Sequence, residues 1–252
     1  MPTLKIFLLV IATVLATLSA SAQSTRVLVP IVATGASGAF DSLWTSEVVA
    51  FNASPAPVEI LYLHTCAGTC VPGAVVHASE ASDLAILTGS TVPAAFIYVP
   101  NESVDAFEFG LRVRDVSRQT DSWGTEVPVV RESRAFQSSF DLLNVPLPSR
   151  FRQTLRIYDF EDKSGGGVRV QFYDMVTGLP LKDFQLAMLP PRLEDIFTPA
   201  YVQLDQFGQT PELAGIDRIR VRISPTNSTQ RLWAMVSVTN NVTQELTMIT
   251  PQ

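Results

Sequence analysis

The sequence predicts an all-β protein built as two tandem antiparallel β-sandwich domains, and three observations carry that expectation. Short runs rich in Val, Ile, Phe and Tyr, bounded by Gly, Pro, Asn or Ser, recur along the whole chain. Helix signals are sparse. The two halves also repeat the same order of elements.

Taken in order, strands are expected at residues 26–33, 43–52, 58–63, 84–87, 95–99, 107–114 and 125–130. In Val58-Glu59-Ile60-Leu61-Tyr62-Leu63 and in Leu111-Arg112-Val113-Arg114, charged positions face water while apolar ones face a core, the period of two that a half-buried strand requires. Second-half strands are expected at 140–145, 154–160, 168–173, 184–188, 200–204, 216–223, 232–239 and 244–249. The most regular places Ile219, Val221 and Ile223 on one face and Arg218, Arg220 and Arg222 on the other. That arginine face reads as solvated and opposed by cross-strand carboxylates, the alternative being a cationic ladder for a polyanion. One or two helical turns are expected at 190–197, closed off by Pro199. Gly165-Gly166-Gly167 reads as a hairpin tip.

The repeat organises the chain. Val29-Pro30-Ile31, then 44–52 and 58–63, correspond to Val145-Pro146-Leu147, then 152–160 and 168–173, so each half is expected to open with a Pro-marked strand and a hairpin. At the other end, 111–117 and 125–130 correspond to 232–238 and 244–249. Val29 and Val145 are 116 residues apart, and Leu111 and Leu232 are 121 apart. Seven or so strands in a repeat of that length suit a sandwich of immunoglobulin-like size. The expected division is 1–22, 23–134 and 135–252, with the boundary near 131–138, where Arg131-Glu132-Ser133-Arg134 breaks the apolar pattern. A single continuous sandwich is the alternative.

Composition narrows the function. With 46% hydrophobic and 17% charged residues among 252, the chain is neither disordered nor collagen-like. A net charge of −6 argues against a nucleic-acid partner, and no polybasic patch addresses anionic membranes. At the N-terminus Lys5 precedes an apolar run from Ile6 to Leu18, ended by Ser19-Ala20-Ser21-Ala22. That is the layout of a signal peptide cleaved after Ala22, since the run is shorter than the roughly 20 residues of a spanning helix. No later segment reaches spanning length without charges, so the expected product is secreted, periplasmic or on the cell surface.

Cys66 and Cys70 are the only cysteines, and in an exported chain two thiols four positions apart can close a small ring. The only histidines, His64 and His77, flank the same pair, so a zinc or copper site through His64, Cys66, Cys70 and His77 is the alternative. No cofactor is expected otherwise. A Ser-His-Asp triad has little to draw on, and there is no Gly-x-Ser-x-Gly elbow, P-loop, dinucleotide fingerprint or His-Glu-x-x-His. Glycoside hydrolysis needs only a carboxylate pair, for which Glu47, Glu59, Asp159, Glu161, Asp162 and Asp174 are available, though such residues most often face solvent.

Aromatic residues are the better route to binding. Trp44 and Trp233 lie in apolar strands and are expected in the core, whereas Trp123 sits in the polar turn Arg118 to Gly124 and is the expected contact residue. Asn52, Asn101, Asn227 and Asn241 each begin an N-glycosylation pattern, while an excess of Arg over Lys, fifteen to three, points to a bacterial source.

The run Leu43-Trp44-Thr45-Ser46-Glu47-Val48-Val49-Ala50-Phe51-Asn52, the segment 112–128 and Gln153 to Tyr158 together resemble exported bacterial proteins built of tandem Ig-like β-sandwich repeats. The resemblance implies an extracytoplasmic sandwich module and carries over no catalytic residues. The expected function is therefore non-enzymatic contact with an extracellular protein or glycan through end loops such as 66–72 and 119–124. A carboxylate-pair hydrolase and a metal-binding protein are the alternatives.

Overall fold

The computed structural model describes residues 24–63, 73–86, 94–118, 121–161, 166–191 and 196–251. The leader expected at 1–22 and the loop carrying His64, Cys66 and Cys70 lie outside them. First-half strands are β1 (Ser24–Val29), β2 (Ala36–Ser37), β3 (Leu43–Asn52), β4 (Val58–Ile60), β5 (Ala74–Val76), β6 (Glu80–Asp83), β7 (Ala95–Pro100), β8 (Phe107–Asp115), β9 (Thr125–Glu126) and β10 (Val130–Arg131). The second half contains β11 (Phe140–Pro146), β12 (Phe151–Asp159), β13 (Gly167–Asp174), β14 (Pro180–Ala187), β15 (Ala200–Asp205), β16 (Arg218–Pro225), β17 (Leu232–Asn240) and β18 (Leu246–Ile249). Among the described residues the helices are three-residue 3-10 turns, none long and apolar enough to cross a membrane.

All strand pairings are antiparallel, and the strand order repeats. One second-half sheet runs β11-β16-β13-β14 and the other β15-β12-β17-β18. In the first half β10-β1-β7 is extended by a bridge from Leu61 to Tyr98, which brings up β4 and β5, while β6 and β9 flank β3-β8. Strands at equivalent chain positions therefore take equivalent places in the sheets. The two-residue β2 apart, the first strand of each half pairs with its sixth, β1 with β7 and β11 with β16, unlike the ABED and CFG sheets of an immunoglobulin constant domain.

Several sequence expectations need correction. The Pro-marked strand of each half is not followed by a hairpin, because β3 and β4, like β12 and β13, belong to different sheets. Gly167 accordingly opens β13 in the other sheet and is no hairpin tip between β12 and β13, while Gly165 lies outside the described residues. The strand expected at 125–130 is broken into β9 and β10, which pair with β8 and β1 respectively. Of the strand expected at 84–87, residues 84–86 follow β6 without forming a strand and Leu87 lies outside the described residues, and β5 had no clear signal. Of the helix expected at 190–197, residues 192–195 lie outside the described set, and Ile196 and Phe197 are in a turn.

The arginine face of β16 is solvated as expected. Arg222 donates two hydrogen bonds of 3.0 Å to Asp141 on β11, Arg220 stacks 4.4 Å from the Tyr173 ring centroid, and Arg218 reaches Asn144. Its apolar partners Ile219, Val221 and Ile223 are fully buried.

Two apolar cores result. One is filled wholly by second-half residues, with Leu142, Leu155, Ile157, Val170, Phe172 and Val221 at its centre. The other is the first-half core, and it also takes in Tyr158, Phe160, Tyr201, Trp233 and Met235 from the second half. Trp233 is thus buried in a core as expected, in the one shared across the joint and not in that of its own half. The segment between the halves is tied to both: Val130 pairs with Leu28, and Phe136 bridges Leu232. At the edge of the joint Arg26 pairs with Glu132 and Glu161, each at 2.7 Å, and also donates to the Phe160 carbonyl.

Candidate functional site

The outer face of the β15-β12-β17-β18 sheet changes character along its length. Strand register places Tyr201, Tyr158 and Trp233 in one row across β15, β12 and β17. All three are buried against the first half, and the Tyr158 hydroxyl donates to the Pro30 carbonyl. Burial pushes the Tyr158 phenol well above its ordinary value, so it stays a neutral donor. The next rows on the same face are Gln203, Arg156 and Met235, then Asp205, Thr154 and Ser237, then Arg152 and Thr239. Beyond the apolar rows, the face is therefore polar.

First-half residues roof this polar stretch and enclose a partly open cleft of about 460 Å³. Its floor is Arg152, Thr154, Arg156, Gln203, Asp205, Ser237 and Thr239, and its wall includes Ile31, Val32, Ala36, Gly38, Trp44 and Val113. The size falls within the roughly 300–1,000 Å³ of small-molecule sites. A hydrogen-bond network holds the floor. Arg156 donates to Gln203 at 2.9 Å and Ser237 at 3.1 Å, Thr154 donates to Asp205 at 2.8 Å, and Gln203 donates to Asp205 at 2.8 Å. Arg152 donates to Asn241 at 2.9 Å and to the buried Gln244 at 2.8 Å. Burial and the neighbouring Arg118 charge lower the Arg152 value, with Asp115 acting in the opposite direction.

A constrained loop forms the rim. Gly35 has a φ of 62°, and Phe40 and Asp41 both have a φ of 58°, the left-handed region that costs non-glycine residues about 1–2 kcal/mol each. The turn lays the exposed Phe40 ring 5.1 Å from the Arg152 guanidinium, and the Phe40 carbonyl accepts from Arg118. Gly38 leaves room for Trp44, whose indole donates to Ser42 at 2.9 Å. A Cβ at position 38 would lie 2.6 Å from the indole nitrogen. Gly38→Ala is therefore expected to displace Trp44, shift its fluorescence and cost about 1–3 kcal/mol, which thermal unfolding would register.

The described residues expected to act lie outside the cleft. Trp123 is 79% exposed, stacks 5.2 Å from Arg112 and does not line the cleft. Trp44, expected in the core, is half-buried and forms part of the cleft wall. His77 is exposed just after β5, and the other three expected ligands, His64, Cys66 and Cys70, lie outside the described residues. Among the described residues no cluster of three or more His, Cys, Asp or Glu side chains is placed to hold a metal ion.

The candidate carboxylates are held separately: Glu47 by Arg114 at 2.7 Å, Glu161 by Arg26, and buried Asp159 by the Glu161 and Arg231 backbone amides. Asp174 caps a turn through the amides of Thr177 and Val176, which hold its carboxyl below the ordinary value, and Glu59 is exposed. Asp162 lies outside the described residues. Of the glycosylation patterns, Asn52 is fully buried, donating to the Ala56 and Val76 carbonyls.

Sequence reasoning did not single out Arg152, Thr154, Arg156, Gln203, Asp205 or Ser237. One signal pointed to them. The 232–239 run is apolar on both faces as far as Met235 and then turns polar on one face at Ser237 and Thr239. No family model, curated protein or solved structure matches the chain.

Proposed function

We propose that this chain is an exported, non-enzymatic binding module of two tandem β-sandwich repeats of immunoglobulin-like size, and that it holds a protein or glycan partner at the joint between them. The observation that carries the reading is the cleft of about 460 Å³, where a hydrogen-bonding floor from one half faces an apolar wall from the other. An amphipathic ligand meets both surfaces at once. The floor contains a single carboxylate, Asp205, which Thr154 and Gln203 already engage, so it favours binding over a two-carboxylate hydrolysis. The leader-like sequence at 1–22 supports the export part of this reading.

The test uses the secreted chain on an array of glycans and cell-surface extracts, with Trp44→Ala and Trp123→Ala in parallel. Binding is expected to fall at least about tenfold in Trp44→Ala, an anchor-sized loss, and to persist in Trp123→Ala. The reverse result would move the site to the exposed 121–124 turn and remove the cleft from the account.

A further inference from the structure

Taking the cleft as the ligand site, its charge identifies the class of ligand. Arg152 and Arg156 project from the same face of β12 with Thr154 between them. Among the described residues neither makes an ion pair, whereas seven other cations do: Arg26, Arg114, Arg131, Arg169, Lys182, Arg222 and Arg231. Their partners are neutral amides and a hydroxyl, namely Asn241 and Gln244 for Arg152, and Gln203 and Ser237 for Arg156. Arg118 adds a further positive charge beside Arg152, offset by the Asp115 carboxylate. In a chain of net charge −6 the cleft is thus lined by two arginines and a single carboxylate, Asp205, which Thr154 and Gln203 engage.

The two guanidinium groups, partly withdrawn from water, are compensated when an anion brings its own oxygens, because guanidinium forks match carboxylate and sulfate oxygens and the pairing strengthens as water leaves. The opposite wall is apolar and includes the Trp44 ring, a surface on which the carbon face of a sugar lies. Thr154, Ser237, Thr239 and Gln203 supply the donors and acceptors that sugar hydroxyls need. Four residues along a strand separate the two arginine Cα atoms by about 13 Å, a span suited to an oligomer bearing repeated acid groups.

We infer that the cleft binds an acidic oligosaccharide, whose acid groups pair with Arg152 and Arg156 while its sugar faces lie against Trp44. Carboxylated and sulfated sugars share this chemistry, and the experiment separates them.

Immobilised polygalacturonate and heparan sulfate are the probes, each beside its neutralised form, the methyl ester and the desulfated polymer. The full secreted chain is expected to bind at least one acidic polymer and to bind its neutralised form at least about tenfold more weakly. Arg152→Gln and Arg156→Gln are each expected to weaken binding about tenfold or more, Arg156→Lys by less, and Arg220→Gln on the opposite sheet not at all. Thermal midpoints of the variants confirm folding, and Arg156→Lys keeps the test open if a glutamine variant unfolds. Loss on methyl esterification identifies a carboxylate ligand, and loss on desulfation a sulfate.

Equal binding of acidic and neutralised forms, abolished by Trp44→Ala, would overturn the acidic assignment and leave the cleft as the binding site. Acidic binding that ignores both arginine variants and Trp44→Ala would overturn both readings. Failure to bind either acidic polymer would overturn the acidic assignment alone.

Discussion

Trp233→Ala is expected to lower the stability of the whole protein by about 3–5 kcal/mol, the cost of emptying a buried aromatic site. Trp233 is 5% exposed, stacks with Tyr158 at 6.2 Å, and belongs to the core that the two halves share. Since its neighbours come from both halves, the loss is expected to appear as one shifted transition in urea, followed together by far-ultraviolet circular dichroism and by the fluorescence of the remaining tryptophans. A separate early transition of one half would show that the joint does not couple them. Tyr158→Phe isolates the polar part of the same contact. It removes the hydroxyl that satisfies the buried Pro30 carbonyl and is expected to cost about 1–3 kcal/mol with little change in packing.

Asp115→Ala is the second large effect, expected at about 1–3 kcal/mol, because it takes the acceptor from two backbone amides and a hydroxyl. Asp115 is fully buried at the end of β8. Its Oδ1 accepts from the Leu43 amide at 2.9 Å, the Ser117 amide at 3.0 Å and the Ser117 hydroxyl at 2.6 Å, which ties the start of β3 to the end of β8. Burial alone would raise its carboxyl, but the hydrogen bonds from Ser117 and Leu43 and the Arg118 charge outweigh it, leaving the native value below the ordinary 3.8. A carboxyl depressed in the folded state adds stability in full above its unfolded value, and that contribution is lost as pH falls through the lower native value. Acid unfolding of the wild type and Asp115→Asn should therefore converge below about pH 3.8, while the wild type leads above it. A constant difference across that window would show that Asp115 stabilises through shape alone.

How much was legible in the sequence follows from what period and punctuation can encode. The 43–52 strand matches β3 residue for residue, and the Ile219, Val221, Ile223 alternation assigns the two faces of β16 correctly, because period-2 patterning reports which side chains share a face. The repeat was legible for the same reason, since equivalent strands carry equivalent patterns in equivalent order. Sheet membership was not. Chain proximity suggested hairpins after the Pro-marked strands, whereas β12 pairs with β15 and β17 and leaves β13 to the other sheet. Pairing depends on contacts distant in sequence, which local pattern does not carry.

The site shows the same division sharply. Arg152, Thr154 and Arg156 alternate with buried Leu155 and Ile157, and by the alternation rule they form a solvated outer face. Trp233 and Met235 alternate with Leu232, Ala234 and Val236 in a run apolar on both sides, which already implied cover on two faces. The amino-acid sequence by itself determined an all-β chain, the place of strands such as 43–52 and the faces that regular strands such as 218–223 turn to core and solvent. Only the tertiary structure decided that one half roofs the polar outer face of the other, placing two unpaired arginines opposite Trp44 in a cleft. Strand patterning says which residues point away from their own core, but what covers them depends on how the second sheet face docks.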